Sequence, residues 1–319
     1  MNARSKYITN IILAVGLSFI ITLLLLIPAK AMSYTNAADD AYRIEEFTIS
    51  TPGELEVKTS GGHISVEASE TNTVRVEIYV RRNGRELTPS DTDLDDYDID
   101  ISQSGNKITA TADRRGGGWN WGRNNLSVSF VVYTPREMRT DLRTSGGYIT
   151  ANGLDGDQEL STSGGHIEMV NMKGTVDART SGGHIEIRDF AGQMDARTSG
   201  GHIESEKAQG TIKLRTSGGH ISLRELAGSV EANTSGGSIE ADLTSIEQYA
   251  DLRTSGGHIN IEVPDGIGLD LELKGNRVNS NLKNFTGSVE RDEISGSING
   301  GGPKITARTS GGSVRIRFN

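Results

Sequence analysis

The sequence has no cysteine, few prolines and few aromatic residues, and each shortage narrows the possibilities. Without cysteine there are no disulfides, no thiolate nucleophile and no cysteine-based zinc site. Hydrophobic residues make up 34% of the chain and aromatic residues 5%, which is too little for one large globular core. Glycine, by contrast, occurs 40 times in 319 residues. Its spacing, together with regularly placed isoleucine and valine, favours an ordered repeat over disorder.

The only strongly apolar segment lies at the N-terminus. Arg4 and Lys6 precede an apolar run from Ile8 to Ile27, and an Ala-Lys-Ala sequence ends at Ala31. This order is typical of a secretory signal peptide cleaved after Ala31. The run also approaches the length of about 20 residues that a membrane-spanning helix needs, so an uncleaved anchor is the alternative. In both cases we expect residues 32–319 to be exported.

Charge argues against two classes of partner. Segment 1–31 holds three basic residues and no acidic one, so the rest of the chain carries 30 basic and 42 acidic residues. An acidic exported region is a poor match for nucleic acid or for an anionic membrane surface. Contact with a membrane is therefore predicted only through the N-terminal segment, if that segment is retained.

Glycine recurs on every ninth residue from Gly147 to Gly237, and alternate glycines belong to a Thr-Ser-Gly-Gly-His-Ile signature. The full repeat is therefore 18 residues long, which is typical of a solenoid whose coils stack on one another. Within each repeat, period-two alternation turns isoleucine and threonine inward and charged residues outward. We expect the Gly-Gly pair to turn the chain by adopting positive φ angles. A second turn is expected near Gly192. The inward threonines are expected to hydrogen-bond along the stack.

The fold class predicted from this pattern is all-β: a single-stranded parallel β-solenoid with 18-residue coils, preceded by an N-terminal signal or anchor helix. The predicted regions are 1–31, the signal or anchor; 32–137, a β region that caps the solenoid; and 138–319, the repeat domain. Strands are predicted at 74–80, 97–102, 107–112 and 126–133, with a hairpin turn at 103–106. The repeat copy at Thr59 is expected to form the first coil. Arg315 and Arg317 are expected to protect the far end from pairing with other strands.

The repeated Arg-Thr-Ser-Gly-Gly-His-Ile motif behind a signal or anchor segment resembles the bacterial "putative adhesin" β-strand-repeat family. The resemblance covers residues 42–319. It implies an exported β-solenoid of the cell envelope with an adhesive role, and it supplies no catalytic or binding residues.

The candidate binding residues are those that the repeat turns outward on consecutive coils, together with two tryptophans in a glycine-rich loop. They are His166, His184, His202 and His220; Glu168, Glu186 and Glu204; Arg179, Arg197 and Arg215; and Trp119 and Trp121. The histidines are expected to form a ladder in which each imidazole packs on the next. A divalent-metal strip with the glutamates as oxygen donors is the alternative interpretation. The sequence predicts no metal ion or other cofactor.

The predicted function is a non-catalytic, exported envelope protein that presents a repetitive charged surface to a glycan or protein ligand. A membrane-anchored envelope sensor or accessory protein, working through a protein partner, is the first alternative. A metal-binding histidine ladder and a polysaccharide-active enzyme are weaker ones. For an enzyme, Asp177 and Asp195 could supply paired carboxylates. However, these residues are repeated, whereas an active site normally interrupts a repeat.

Overall fold

The computed structural model describes residues 41–115 and 126–319, and all of its regular elements are β-strands. The predicted signal or anchor segment and the two tryptophans, Trp119 and Trp121, lie outside the described residues. Within the described ranges, no helix is long and apolar enough to cross a membrane.

In residues 41–115 and 126–319, 23 strands form one continuous sheet that winds around a single apolar core. They are β1 (Arg43–Thr48), β2 (Gly53–Thr59), β3 (Ile64–Ser69), β4 (Thr73–Arg82), β5 (Arg85–Leu87), β6 (Tyr97–Ser104), β7 (Lys107–Arg114), β8 (Leu126–Pro135), β9 (Met138–Thr144), β10 (Ile149–Asn152), β11 (Asp155–Thr162), β12 (Ile167–Arg179), β13 (Ile185–Arg197), β14 (Ile203–Arg215), β15 (Ile221–Asn233), β16 (Ile239–Thr254), β17 (Ile259–Val263), β18 (Leu269–Lys274), β19 (Arg277–Asn279), β20 (Phe285–Val289), β21 (Glu293–Ile298), β22 (Lys304–Thr309) and β23 (Ser313–Phe318).

The central coils confirm the predicted parallel β-solenoid. β12, β13, β14 and β15 are 13-residue strands that pair in parallel, each displaced by one 18-residue repeat, so that Ile185 lies opposite Ile167 and Ile203. The isoleucines of this column are fully buried, as period-two alternation predicts. With about eleven stacked layers at ~4.8 Å, the described coils extend for about 50 Å.

Each coil consists of two legs. Leg A ends in the Thr-Ser-Gly-Gly turn, as in residues 175–180, and leg B follows that turn, as in residues 185–188. The two legs are joined by a bend inside the 13-residue strand, and this bend lies where the sequence indicated a second turn, near Gly192. In β13 the bend contains Asp189, with φ 55°, and Gly192, with φ 140°. Because of this bend, the buried positions change from odd-numbered residues on leg B, such as Ile187, to even-numbered residues on leg A, such as Met194.

The Gly-Gly pair has a different role from the one predicted. Neither Gly182 nor Gly183 has a positive φ, so the turn does not depend on the left-handed region. A Cβ on Gly183 would lie 1.9 Å from the carbonyl oxygen of Gly165 in the preceding coil. The second glycine of each pair is therefore needed because the stacked backbones approach too closely for any side chain.

The inward threonines hydrogen-bond along the stack as predicted, and their partners are backbone groups. Thr180 Oγ1 donates to the carbonyl of Gly165 in the preceding coil at 2.7 Å and accepts from the N–H of Gly183 at 3.3 Å. The contact to the preceding coil recurs at Thr162, Thr198, Thr216 and Thr234. A buried hydroxyl that donates and accepts in this way avoids the cost of an unpaired polar group.

The coils at both ends are out of sequence order. β2 and β3 form the second layer, because β7 and β8 stack outside them while β9 and β10 stack inside. The coil at Thr59 is therefore not the first layer, contrary to the prediction. At the other end, β22 and β23 lie between β16–β17 and β18–β19. Arg315 consequently lies inside the stack, between Asn260 and Asn279, and it does not protect the end. Arg317 pairs with Glu262 on one side, and the pairing with β19 on the other side stops at Arg315.

Antiparallel strands form the outer layers at the N-terminal end of the stack and on leg A at its C-terminal end. β6 pairs with β7, and β1 and β4 extend the sheet beyond β8. The hairpin at 103–106 and the four predicted strands near it are present, with Gly105 at φ 61°. At the C-terminal end, β20 and β21 form an antiparallel pair beside β18.

Candidate binding surface

Six aromatic rings stack along the outer side of the turns. His63, Tyr148, His166, His184, His202 and His220 have successive ring centroids 4.7–5.0 Å apart and interplanar angles of 2–11°. The parallel backbone register places each ring directly over the next, because each precedes an inward isoleucine of the same column. The four candidate histidines are thus brought together in one ladder, and the structure adds His63 and Tyr148 to it.

The ladder ends where the repeat changes. Ser238 follows His220 in the column, and it has no ring to continue the stack. In the next coil His258 makes a different contact, because its Nδ1 accepts a hydrogen bond from the backbone N–H of Ser313 at 3.0 Å. The six stacked rings therefore form a bounded segment of the molecule.

Stacked imidazoles are poorly placed to share a metal ion. A metal lies in the plane of each imidazole that binds it, and two nitrogens on one tetrahedral zinc are about 3.4 Å apart. Parallel rings separated by 4.9 Å keep equivalent nitrogens too far apart. Within residues 41–115 and 126–319, no group of three or more histidines and carboxylates is placed to hold a metal ion.

Burial lowers the pKa of two histidines in the ladder. Burial, followed by the neighbouring charges of His184 and His220, lowers the pKa of His202 below its ordinary value. Burial also lowers the pKa of His63 at the other end. Glu204 opposes this effect, because its carboxylate lies 3.9 Å from His202 Nε2 and 3.6 Å from His220 Nε2. His63 and His202 therefore favour the neutral imidazole.

The glutamate column lies on leg B, two residues beyond the histidines. Glu168, Glu186 and Glu204 are in register on successive coils. Arg188 connects two of them: its guanidinium contacts Glu186 in its own coil and Glu168 in the preceding coil, the latter at 2.9 Å. Arg188 was absent from the sequence-based candidates, although its position two residues after a glutamate was a usable signal.

Leg A carries an acidic column and a basic column side by side. Arg179 donates to Asp177 at 2.5 Å, Arg197 donates to Asp195, and Arg215 bridges to Glu231 at 2.8 Å and to Asp195 at 3.6 Å. The three candidate arginines lie in consecutive register, and each has a carboxylate partner. The surface is therefore polar, repetitive and nearly charge-balanced.

Lys213 interrupts the acidic column, because it lies in register between Asp195 and Glu231. The period-two pattern assigned every residue of this column outward, but it did not indicate which neighbours would pair. Pairing depends on side-chain reach between coils. The bridge from Arg215 to Glu231, for example, crosses from one coil to the next.

Asp195 does not meet the needs of the acid in a glycosidase pair. Such a pair requires one acid that holds a proton at working pH, which means a raised pKa. Burial raises the pKa of Asp195, but the hydrogen bond and charge of Arg197 and the charge of Arg215 outweigh burial and lower it. Asp195 is therefore an ion-pair partner and a poor proton donor.

A second cluster of paired charges lies on leg A in the coils at the N-terminal end of the stack. Glu56 accepts hydrogen bonds from Lys107 at 2.5 Å and from Lys58, and these contacts lower its pKa to about 2. Asp141 lies opposite Glu56 in the next coil, so the acidic column begins in this region.

The roles of the candidate residues as ligand contacts stay predictions. The structure places the histidines, glutamates and arginines on outward columns, and Trp119 and Trp121 lie outside its described residues.

Comparison with known proteins identifies the family. In solved structures, the chain is similar to a "putative cell adhesion protein" from Clostridium sporogenes, at 10% identity over 87% of this chain and 99% of that chain, with a TM-score of 0.22. It is also similar to a "putative adhesin" from Bacteroides fragilis, at 10% identity over 86% of this chain and 96% of that chain, with a TM-score of 0.35. A "putative adhesin" from Parabacteroides merdae is 12% identical over 86% of this chain and 95% of that chain, with a TM-score of 0.40. These scores are too low to support an argument about function. No curated protein matches the chain. Residues 53–317 match the family model described as Toastrack DUF4097, and the chain belongs to that family.

Proposed function

We propose that this protein is an exported, non-catalytic binding protein of the bacterial cell envelope, which adheres to a repetitive glycan. The observation that carries the proposal is the register of the outer surface. Equivalent polar side chains recur on successive coils, as Asp177 does with Asp195 and Arg179 does with Arg197. A ligand with its own regular repeat can make the same contact on many coils.

The arginine–carboxylate strip of leg A is the proposed contact surface. Arg179, Arg197 and Arg215 are each about half exposed or less, and each is already paired with a carboxylate. A polyanion would gain little from arginines whose charge is compensated. The hydroxyl groups of an uncharged sugar chain can instead accept from the guanidinium groups and donate to the carboxylates. A neutral glycan therefore suits the strip best.

The affinity of such binding depends on the number of coils that contact the ligand at once. One exposed, solvated contact contributes little, whereas successive contacts on one rigid rod are intramolecular after the first has formed. The rigidity comes from the core, because the isoleucine and threonine columns fix each coil against the next. Affinity should therefore depend on the number of intact coils and arginines.

A membrane-anchored envelope sensor is the second candidate, and the length of the apolar run from Ile8 to Ile27 favours it. Fractionation and protease shaving of cells that produce a C-terminally tagged chain, with sequencing of the N-terminus, distinguish the two. A processed chain with an accessible tag supports adhesion. A retained segment with a protected tag supports the sensor.

The binding test uses the full chain on an array of neutral and anionic glycans. Arg179→Gln, Arg197→Gln and Arg215→Gln are combined one, two and three at a time. The matched control, made alone and in each combination, is Arg224→Gln on leg B, which is exposed. Retention on a neutral glycan should fall at each step on leg A and stay unchanged in the controls. Failure to bind any glycan, or equal losses on both legs, would contradict the proposal.

A further inference from the structure

Five strands in the described residues have a neighbour on one side only: β1, β5, β6, β19 and β20. Charged side chains protect four of these edges from pairing with other chains, as natural sheets commonly require. They are Arg43, Glu45 and Glu46 in β1; Arg85 and Glu86 in β5; Asp98 and Asp100 in β6; and Arg277 in β19. β20, with the sequence Phe-Thr-Gly-Ser-Val, contains no charge.

The hydrogen-bonding groups of β20 show which residues face the open side. The carbonyl of Asn284 accepts from the N–H of Asn299 at 3.1 Å, and the N–H of Glu290 donates to Glu293 at 2.8 Å. Even-numbered residues therefore direct their backbone groups toward β21. Because these directions alternate along a strand, the N–H and C=O groups of Phe285, Gly287 and Val289 point away from β21.

The buried core continues onto β20 and becomes exposed there. One inward column runs in register through Leu252, Ala307, Leu273 and Ile294, which are at most 1% exposed. Val289 is the next member of this column, opposite Ile294, and it is 61% exposed. On the same face, Phe285 packs partly against the core. The apolar column therefore ends without a cover among the described residues.

We propose that β20 pairs in antiparallel fashion with β20 of a second copy of this chain. With Gly287 opposite Gly287, Phe285 lies opposite Val289 of the other copy, and the outward backbone groups of both strands form six hydrogen bonds. Phe285 and Val289 of the two copies then form apolar cross-strand pairs, while each Phe285 ring keeps its packing over Gly287 and Gly296 of its own chain. Thr286 lies opposite Ser288 on the other face, which is a favourable polar pair.

A second copy fits this edge because the strand is complementary to itself in this register. A two-fold axis repeats each contact with the roles of the two copies exchanged. In this register apolar Phe285 faces apolar Val289, Gly287 faces Gly287, and the hydroxyl of Thr286 faces that of Ser288. A contact of this size is smaller than the about 1,200 Å² that stable complexes bury. The dimer is therefore in exchange with the monomer, and a high local concentration at a cell surface favours it.

The test uses the absence of cysteine from the chain. Full-length chains that carry Thr286→Cys with one tag and Ser288→Cys with another are produced together and oxidised mildly. In the proposed register these positions face each other as a non-hydrogen-bonded pair, with Cα atoms about 4.5 Å apart, which a disulfide can bridge. Ser102→Cys, exposed on β6 at the other end, is the matched control.

A mixed disulfide with the mass of two chains is the expected product. Its yield should exceed that of the Ser102→Cys control by at least about tenfold, because a disulfide needs facing Cβ atoms. Val289→Lys added to both chains should abolish it while the far-UV circular dichroism stays unchanged, since Val289 is exposed. The proposal is overturned by a yield equal to the control, by a disulfide that survives Val289→Lys, or by an adduct with another protein.

Discussion

Replacing the second glycine of a repeat with alanine should destabilise the protein far more than replacing the first. In Gly183→Ala the new Cβ would lie 1.9 Å from the Gly165 carbonyl oxygen and 2.4 Å from its carbonyl carbon. Relief requires the two coils to separate by more than 1 Å at this point, since real Cβ contacts below 3.0 Å are essentially never seen. The same carbonyl accepts the hydrogen bond of Thr180, so separation also weakens that contact.

The expected cost of Gly183→Ala is about 3 kcal/mol or more, at the upper end of overpacking penalties. Gly182→Ala is the matched control, because its Cβ would lie 3.6 Å from the nearest atom and its φ is not positive. Its effect should lie within about 0.5 kcal/mol, or be slightly stabilising through the unfolded chain. Urea denaturation of the full chain, followed by far-UV circular dichroism, measures both. Equal shifts of the two midpoints would refute close backbone stacking at this column.

Three other side chains give further predictions. Ser205→Ala should raise the free energy of unfolding by about 1 kcal/mol, because the buried Ser205 hydroxyl has no hydrogen-bond partner among the described residues. A lower urea midpoint would contradict this. Acidification below pH 6.5 should lower the thermal midpoint, because the pKa of His202 is lower in the folded chain than in the unfolded chain, so the unfolded chain takes up the proton at a higher pH. His202→Gln should reduce this fall. A thermal midpoint that does not change with pH would contradict the prediction. Glu56→Gln should cost about 1 kcal/mol at pH 7. This difference should vanish as pH falls from 4.5 to about 2, and thermal melts that differ equally at both extremes would exclude it.

The repeated part of the fold could be predicted from the sequence because its information is local and occurs many times. Period two assigns Ile185 inward and Glu186 outward, and the 18-residue repeat then aligns Ile185 with Ile203. The stacking of His166 to His220 follows from the same register. Parallel pairing at a fixed repeat leaves successive rings one strand spacing apart.

The unpredicted features depend on contacts between distant segments. The position of β22–β23 between the coils of β16–β17 and β18–β19 could not be predicted from residues 304–318 alone, because their Thr-Ser-Gly-Gly motif is the same as in the other coils. The role of Gly183 was misassigned because glycine permits both a positive φ and a close approach, and only the neighbouring coil decides between them. In the candidate surface, Arg188 joins Glu168 across coils, a contact that the alternation of residues does not specify.

The most direct test of a repetitive binding surface is the removal of one coil. Deleting residues 180–197 joins Arg179 to Thr198 and restores the register, because Arg179 and Arg197 are equivalent positions. A matched deletion of residues 180–188 removes half a repeat and should unfold the stack. For the one-coil deletion, we predict unchanged circular dichroism and a partial loss of retention on the array glycan, similar to that of one leg A substitution. Complete loss of binding with an intact fold, or no loss at all, would contradict a surface built from equal, repeated contacts.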